Sequence, residues 1–418
     1  MNREILVFVD LDGAPRKVGR LWTRVRAGQE SASFEYDRDW IKNPQRFALE
    51  PSLTLSEYSF HRTKEKGIFG SLGDSAPDRW GRMLMRRAER RNAEVEGRQF
   101  RTLFESDFLL MVDDESRQGA LRFKLEEDGV FLSNDPDHRI PPLIELPRLL
   151  SASERFIKDN ESDDDLKFLL KPGSSLGGAR PKASVRDSAG RLCLAKFPVE
   201  IDEYDNVSWE ALALTLAKES GVNVPKWRLE KIDDKALLVI ERFDRTGQNR
   251  IPFLSAMSML SAQDNETHSY LEIADALRMH GAEPLRDLEQ LWRRIAFNIL
   301  ISNTDDHLRN HGFLFASGGW ELSPAYDLNP TPTDIRPRFL STAIGLEDTT
   351  ASLELALETA EYYGLDPQRA IEILSEIGHM TSKWRNYAAD LGIRSSECDR
   401  MASAFEHHDL QFAILGHK

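Results

Sequence analysis

Between Ile301 and Pro330 the sequence reads ISNTDDHLRNHGFLFASGGWELSPAYDLNP, setting Asp305, Asp306, His307, Asn310 and Asp327 between apolar flanks. An apolar helical run, LWRRIAFNILI, leads into the stretch, and a turn-forming Asn-Pro closes it. Carboxylates this near core-forming segments are costly to desolvate unless something pairs with them. Three explanations are open: a metal site, a phosphate chemistry that uses metals, or a structural polar network. Asp305 and Asn310 stand five residues apart in a loop after the helix. Asn310 leads into an expected hairpin, GFLF and GWEL joined by ASG, and Asp327 follows its second strand. Asn and Asp oxygens are hard ligands suited to Mg²⁺. A carboxylate kept off the metal can orient and deprotonate an attacking hydroxyl. Loops that transfer phosphoryl groups space base and metal-binding Asn in this way. Asp306 is four residues from Asn310, so the spacing selects Asp305 as the base.

Transfer from a nucleotide also needs a phosphate cradle, a Lys on the phosphates, an acid to hold that Lys and a strand for the adenine. GSSLGGARPK is a glycine-rich turn whose backbone N–H groups, over Ser175, Leu176, Gly177, Gly178 and Ala179, can cover phosphates. It is not a Walker A loop, because Lys182 follows Pro181 and no helix-opening Gly-Lys-Ser/Thr occurs. Lys196 follows on a buried strand, LCLAKFP, and Glu210 lies early in the next helix, WEALALTLAKESG. The run LLVIERFDR is the candidate hinge, with the backbone of Glu241 and Phe243 for adenine. Each part has a plainer reading: a strand-edge Lys, a surface Glu, a core Phe. Their order along the chain carries the case.

Around these parts the chain divides into a β-rich portion and an α-rich portion, an α+β class. Strand-like runs are ILVFVDL, VGRLWTRV, ASFEYD and LTLSEYS, and FLLKPG is read as a strand entering the Gly-rich turn. GSLGDSAPDRWGRMLMRRAERR opens a helix with Ser75 as N-cap and Pro77 near the first turn. Its basic tail through Arg101 reads as a solvated face, since Glu residues dilute the charge. The segments 133–142 and 159–165 read as linkers flanking a short helix. The last 70 residues carry helical periodicity with stops at Gly364, Gly378 and Gly392. The expected segments are 1–142, 143–250 and 251–418.

A formal charge of −14 argues against nucleic-acid binding through the overall field. Cys193 and Cys398 are too few for a disulfide scaffold, which points to a reducing cytoplasm. The N-terminus reads as a strand rather than a signal peptide, and no apolar run approaches the ~18 residues a bilayer needs.

The segments GSSLGGARPKA, VIERFDR, NTDDHLRN and AYDLNP together resemble those of HipA-type Ser/Thr kinases, toxin components of bacterial toxin–antitoxin modules. The resemblance covers roughly residues 165–345 and extends to SAPDRWGR near the N-terminus. It implies a bilobal kinase-like fold binding ATP and Mg²⁺ between a β-rich and an α-helical lobe. It implies Asp305 as catalytic base, Asn310 and Asp327 as Mg²⁺ ligands, Lys196 on the ATP phosphates and His307 bracing the loop. It further implies autophosphorylation at Ser175, with Ser174 adjacent. The implied partners are a protein substrate with a Ser or Thr acceptor, such as an aminoacyl-tRNA synthetase, and a HipB-like helix-turn-helix antitoxin through which alone DNA is met. Two other functions stay in view. One is a metal-dependent phosphohydrolase built on Asp305, Asp306, His307 and His311. The other is a degenerate, ATP-binding regulator of a DNA-binding antitoxin. A bland third is an ion-pair network of the acids with Arg309.

Overall fold

The computed structural model describes residues 2–62, 67–133, 140–173, 178–200, 202–316 and 318–415. The chain forms two compact units: Met1–Ile201 with Glu230–Leu254, and Asp202–Leu229 with Ser255–Lys418. Sheets dominate the N-terminal part and helices the C-terminal part, the α+β class expected.

The first unit opens with β1 (Asn2–Leu11), β2 (Ala14–Arg26) and β3 (Gln29–Tyr36). With β4 (Phe60–Arg62) and β5 (Leu121–Lys124) they form a five-stranded sheet in the order β4-β3-β2-β1-β5, antiparallel at each pairing. The alternation that made ASFEYD a strand buries Ala32, Phe34 and Tyr36 on one face. LTLSEYS, by contrast, is not a strand. Its alternation buries only Leu53, and the Leu53 carbonyl accepts from the Tyr36 hydroxyl at 2.7 Å instead of from a neighbouring strand.

Two helix starts differ from expectation. The helix Arg79–Val95 is capped by Asp78, whose Oδ1 accepts from Gly81 N at 3.1 Å. Ser75 is buried instead in the turn before it, with its N–H bonded to Leu72 O at 3.1 Å. FLLKPG is helical, part of Asp163–Gly173, not a strand. Ser162 and Asp165 cap that helix reciprocally: Asp165 N donates to Ser162 Oγ (3.1 Å) and Ser162 N to Asp165 Oδ2 (2.9 Å). The acids expected in a linker therefore form a helix's first turn, where the dipole favours negative charge. The basic tail is largely neutralised within the unit, Arg87 by Glu161, Arg98 by Glu89 and Arg101 by Asp107.

A second sheet comprises β6 (Lys182–Arg186), β7 (Leu192–Lys196), β8 (Trp227–Ile232) and β9 (Lys235–Glu241), in the order β6-β7-β9-β8. Its apolar face, with Ala183, Val185, Ala195 and Val239, packs on Trp80 and Leu84, on Leu149 and Phe156 of the helix Leu146–Ile157, and on Leu169.

In the second unit the helix Pro284–Leu300 is the core, with Leu291, Trp292, Ile295, Phe297 and Ile299 fully buried. Asn206–Glu219 packs Trp209 near Trp384 and Phe405, whose rings stack at 4.6 Å. The expected hairpin forms from Gly312–Ala316 and Gly319–Leu322, pairing Phe313 with Leu322 and Phe315 with Trp320. Gly364 and Gly392 are left-handed helix stops as expected. Gly378 is not a stop: it lies inside the helix Pro367–Thr381, where a Cβ would come within 2.6 Å of the Ala413 Cβ.

Candidate active site

The helix Pro284–Leu300 delivers the chain to a loop that starts with Ser302 at a φ of 51°. Asn303 N bonds back to Asn298 O at 2.9 Å, so the loop is tied to the last turn of the helix. From there the two adjacent acids part. The Asp306 carboxylate is 2% exposed, and its Oδ2 accepts from Tyr270 Oη (2.5 Å), Asn298 Nδ2 (2.7 Å) and His311 Nε2 (2.9 Å). The Asp305 side chain is 63% exposed, and its carboxylate meets Arg336 Nη1 at 3.0 Å.

The Asp305 backbone carbonyl is fixed twice, by His307 N at 2.9 Å and by Asn310 Nδ2 at 3.1 Å. Asn310, itself 8% exposed, thus spends its amide nitrogen inside the loop. The amide oxygen is the atom of this side chain that a hard cation would take. His307 caps the short turn Leu308–Asn310, its carbonyl accepting from Asn310 N at 2.8 Å. The His307 Nδ1 is buried and has no hydrogen-bond partner among the described residues.

Asp327 arrives on the segment after the hairpin and adopts a φ of 55°. Left-handed backbone costs a residue with a Cβ of order 1–3 kcal/mol, which the surroundings must supply. They do: Tyr326 Oη donates to Arg309 O (2.7 Å), Asn329 N to Asn303 Oδ1 (3.3 Å) and Thr331 N to Ser302 O (3.2 Å). Asp305, His307, Asn310 and Asp327 are therefore held on two mutually bonded segments of one unit. Of these, Asn310 and Asp327 carry oxygen donors of the type a hard cation such as Mg²⁺ takes.

The hydrolase arrangement does not form. Asp306 and His311 are spent on each other inside the core, and no group of three or more His, Cys, Asp or Glu among the described residues is arranged to hold a metal ion. Arg309 pairs with Asp264 rather than with the Asp-Asp-His run. Burial would raise the Asp306 carboxyl, but His311, the Tyr270 hydroxyl and His307 hold it below its ordinary value. Burial also pushes the nearby Arg294 guanidinium down to about 10, against the attraction of Asp306.

The first unit carries the remaining candidates. Lys196, half-buried at the end of β7, pairs across to Lys182 on β6 and Leu238 on β9. Lys182 is a second cation beside the Gly-rich turn that spacing did not single out. It is buried, with Nζ 2.9 Å from Asp78 Oδ2, and its carbonyl accepts from Trp80 Nε1 at 3.0 Å. The SAPDRWGR segment thus braces the strand β6 that follows the Gly-rich turn. Gly178, at a φ of 100°, and Ala179 are exposed; Ser174, Ser175, Leu176 and Gly177 lie outside the described residues. Glu241 ends β9 paired with Arg191 at 2.9 Å, and the Phe243 ring lies 6.3 Å from that of Phe253. Glu210 is buried on Asn206–Glu219, in the unit that does not contain Lys196.

Residues 174–384 match the HipA-like C-terminal domain family model, and residues 9–106 match that of the HipA N-terminal domain. Among curated relatives, a Haemophilus influenzae protein named "Putative kinase" is 27% identical over 46% of this chain and 65% of its own length. The Escherichia coli protein Toxin YjjJ is 26% identical over 38% of each. The chain thus matches less than two thirds of the length of these relatives. Among solved structures, a chain of the Shewanella oneidensis HipA, HipB and operator DNA complex superposes with a TM-score of 0.67 at 17% identity, over 98% of this chain and 96% of that one. At that identity the likeness is one of fold. No helix among the described residues is long and apolar enough to cross a membrane. With one domain model covering about half of the chain and a second matching its N-terminal part, the chain belongs to the HipA family.

Proposed function

We propose that this HipA-family protein is an ATP- and Mg²⁺-dependent protein serine/threonine kinase of the toxin type. The observation that carries the reading is the parting of the adjacent acids, Asp306 consumed in the core and Asp305 presented to solvent beside Asn310. In the reaction, the acceptor hydroxyl oxygen bonds to the γ-phosphorus of ATP as the bridging oxygen–phosphorus bond breaks. ADP leaves, and the hydroxyl proton passes to Asp305. Asn310, through its amide oxygen, and Asp327, through its carboxylate, would hold Mg²⁺, which would supply charge neutralisation at the phosphates. Lys196 takes the phosphates, and Glu210 is its candidate acid. Backbone groups from Ser175 to Ala179 cover them, and those of Glu241 and Phe243 take adenine, with His307 bracing the loop. The segments 1–142, 143–250 and 251–418 are its functional divisions.

A HipB-like antitoxin is the proposed partner, with DNA reached through it, and a cytosolic protein such as an aminoacyl-tRNA synthetase is the proposed target. Autophosphorylation at Ser175 or Ser174 would add about −1.5 to −2 charges where ATP phosphates sit, an off switch by repulsion. The test is mass spectrometry on wild type and Asp305→Asn after incubation with Mg²⁺–ATP and cell extract. A phosphate in the Gly-rich turn and a new phosphoprotein, both absent with Asp305→Asn, are expected. ATP binding without transfer by the wild type would refute the kinase.

A further inference from the structure

Among the described residues, the Asp305 carboxylate has one side-chain partner, Arg336, whose Nη1 lies 3.0 Å from Oδ1. Thirty-one positions separate the two, so the contact is made by folding. Arg336 sits on a turn in which its own N–H and that of Ile335 both reach Pro332 O, at 3.2 and 3.0 Å. Both flanks of the turn are tied to the Asp305 loop. Thr331 N donates to Ser302 O (3.2 Å), Ser341 N to Thr304 O (3.1 Å) and Thr342 Oγ1 to Asp306 O (2.7 Å). Arg338, two residues on, is clamped by Ile299 O at 3.0 Å and Asp409 at 2.6 Å. The segment is thus anchored without the Arg336 side chain. With side chains 45% and 63% exposed, the Arg336–Asp305 pair matters little to stability.

What the pair does hold is a carboxylate. The Asp305 carbonyl is fixed by His307 N and Asn310 Nδ2, and Arg336 engages Oδ1, which leaves Oδ2 to accept a hydroxyl. We infer that Arg336 is a positioning residue for Asp305, setting the rotamer in which Oδ2 meets the acceptor hydroxyl. The inference rests on the kinase reading above.

The test measures ADP release from Mg²⁺–ATP with casein as acceptor, for wild type, Arg336→Ala, Arg336→Lys and each combined with Asp305→Asn. Arg336→Ala should lower kcat about tenfold to a hundredfold with KM for ATP and the melting temperature unchanged. Arg336→Lys should restore part of the rate. In the Asp305→Asn background Arg336→Ala should change the rate by less than about twofold, since the two act as a unit. An active wild type with Arg336→Ala at full kcat overturns the inference. So does an equal fractional loss in both backgrounds, or a change confined to KM for casein. A wild type no faster than Asp305→Asn overturns the kinase reading instead.

Discussion

Asp305 and Asp306 are chemically identical neighbours whose surroundings assign them opposite tasks. One carboxylate faces water and the Arg336 guanidinium; the other takes three hydrogen bonds inside the core. Removing each should therefore fail in a different way. Asp305→Asn should change unfolding free energy by less than about 0.5 kcal/mol, as surface substitutions do. Asp306→Ala strips a buried, paired charge and should cost about 3–5 kcal/mol, read as a fall in the urea midpoint. The sign of its pH dependence follows from a folded-state value held below the ordinary carboxylate range. Its stabilisation is complete above that ordinary range and is lost as acidification passes through the folded value.

At the scale of elements, the helix Arg79–Val95 and strand β6 are joined by one residue. Asp78 caps the helix with Oδ1 and neutralises buried Lys182 with Oδ2. Asp78→Ala should remove the cap, worth about 1 kcal/mol. It also leaves an ammonium unpaired in a buried site, for a combined loss of about 4–6 kcal/mol. Asp78→Asn keeps a capping oxygen and should lose less; urea denaturation of both variants decides. The sequence signalled this helix but not its start. Ser75 and Asp78 are both good N-caps three residues apart, and Lys182, 104 positions away, favours Asp78 as the cap. The helix Asp163–Gly173 was legible by its Ser162/Asp165 capping box, a signal outweighed in the sequence by the strand-like FLL that follows.

For the molecule as a whole, acid sensitivity has an identifiable contributor. His407 accepts no proton readily: burial, together with the charge of Arg338, pushes its pKa from the ordinary 6.5 to about 4, against the attraction of Asp409. The unfolded chain therefore takes up this proton first, and stability should fall as pH drops from about 6.5 towards about 4. His407→Gln should flatten that part of the profile, with urea midpoints compared at pH 7 and pH 5. A slope unchanged by the substitution would assign the sensitivity to other groups. Arg338 also anchors the Arg336 segment through Ile299 and Asp409, so residues beside His407 also support the candidate site.

What the sequence determined by itself is the local grammar. The Asp305–Asn310 interval, the GFLF–GWEL hairpin, the buried strand carrying Lys196 and the left-handed stops at Gly364 and Gly392 all follow from short-range periodicity and turn chemistry. Such features are set by backbone sterics within a few residues, so they survive without knowledge of the rest. Tertiary structure alone decided which polar groups meet. Tyr270 reaches Asp306 across 36 positions, Arg336 reaches Asp305 across 31 and Lys182 reaches Asp78 across 104. The environment of a carboxylate is made by whatever packing brings beside it, and packing is a property of the folded chain. Spacing could select Asp305 over its neighbour; only the fold supplied the partners that bury one acid and leave the other facing solvent.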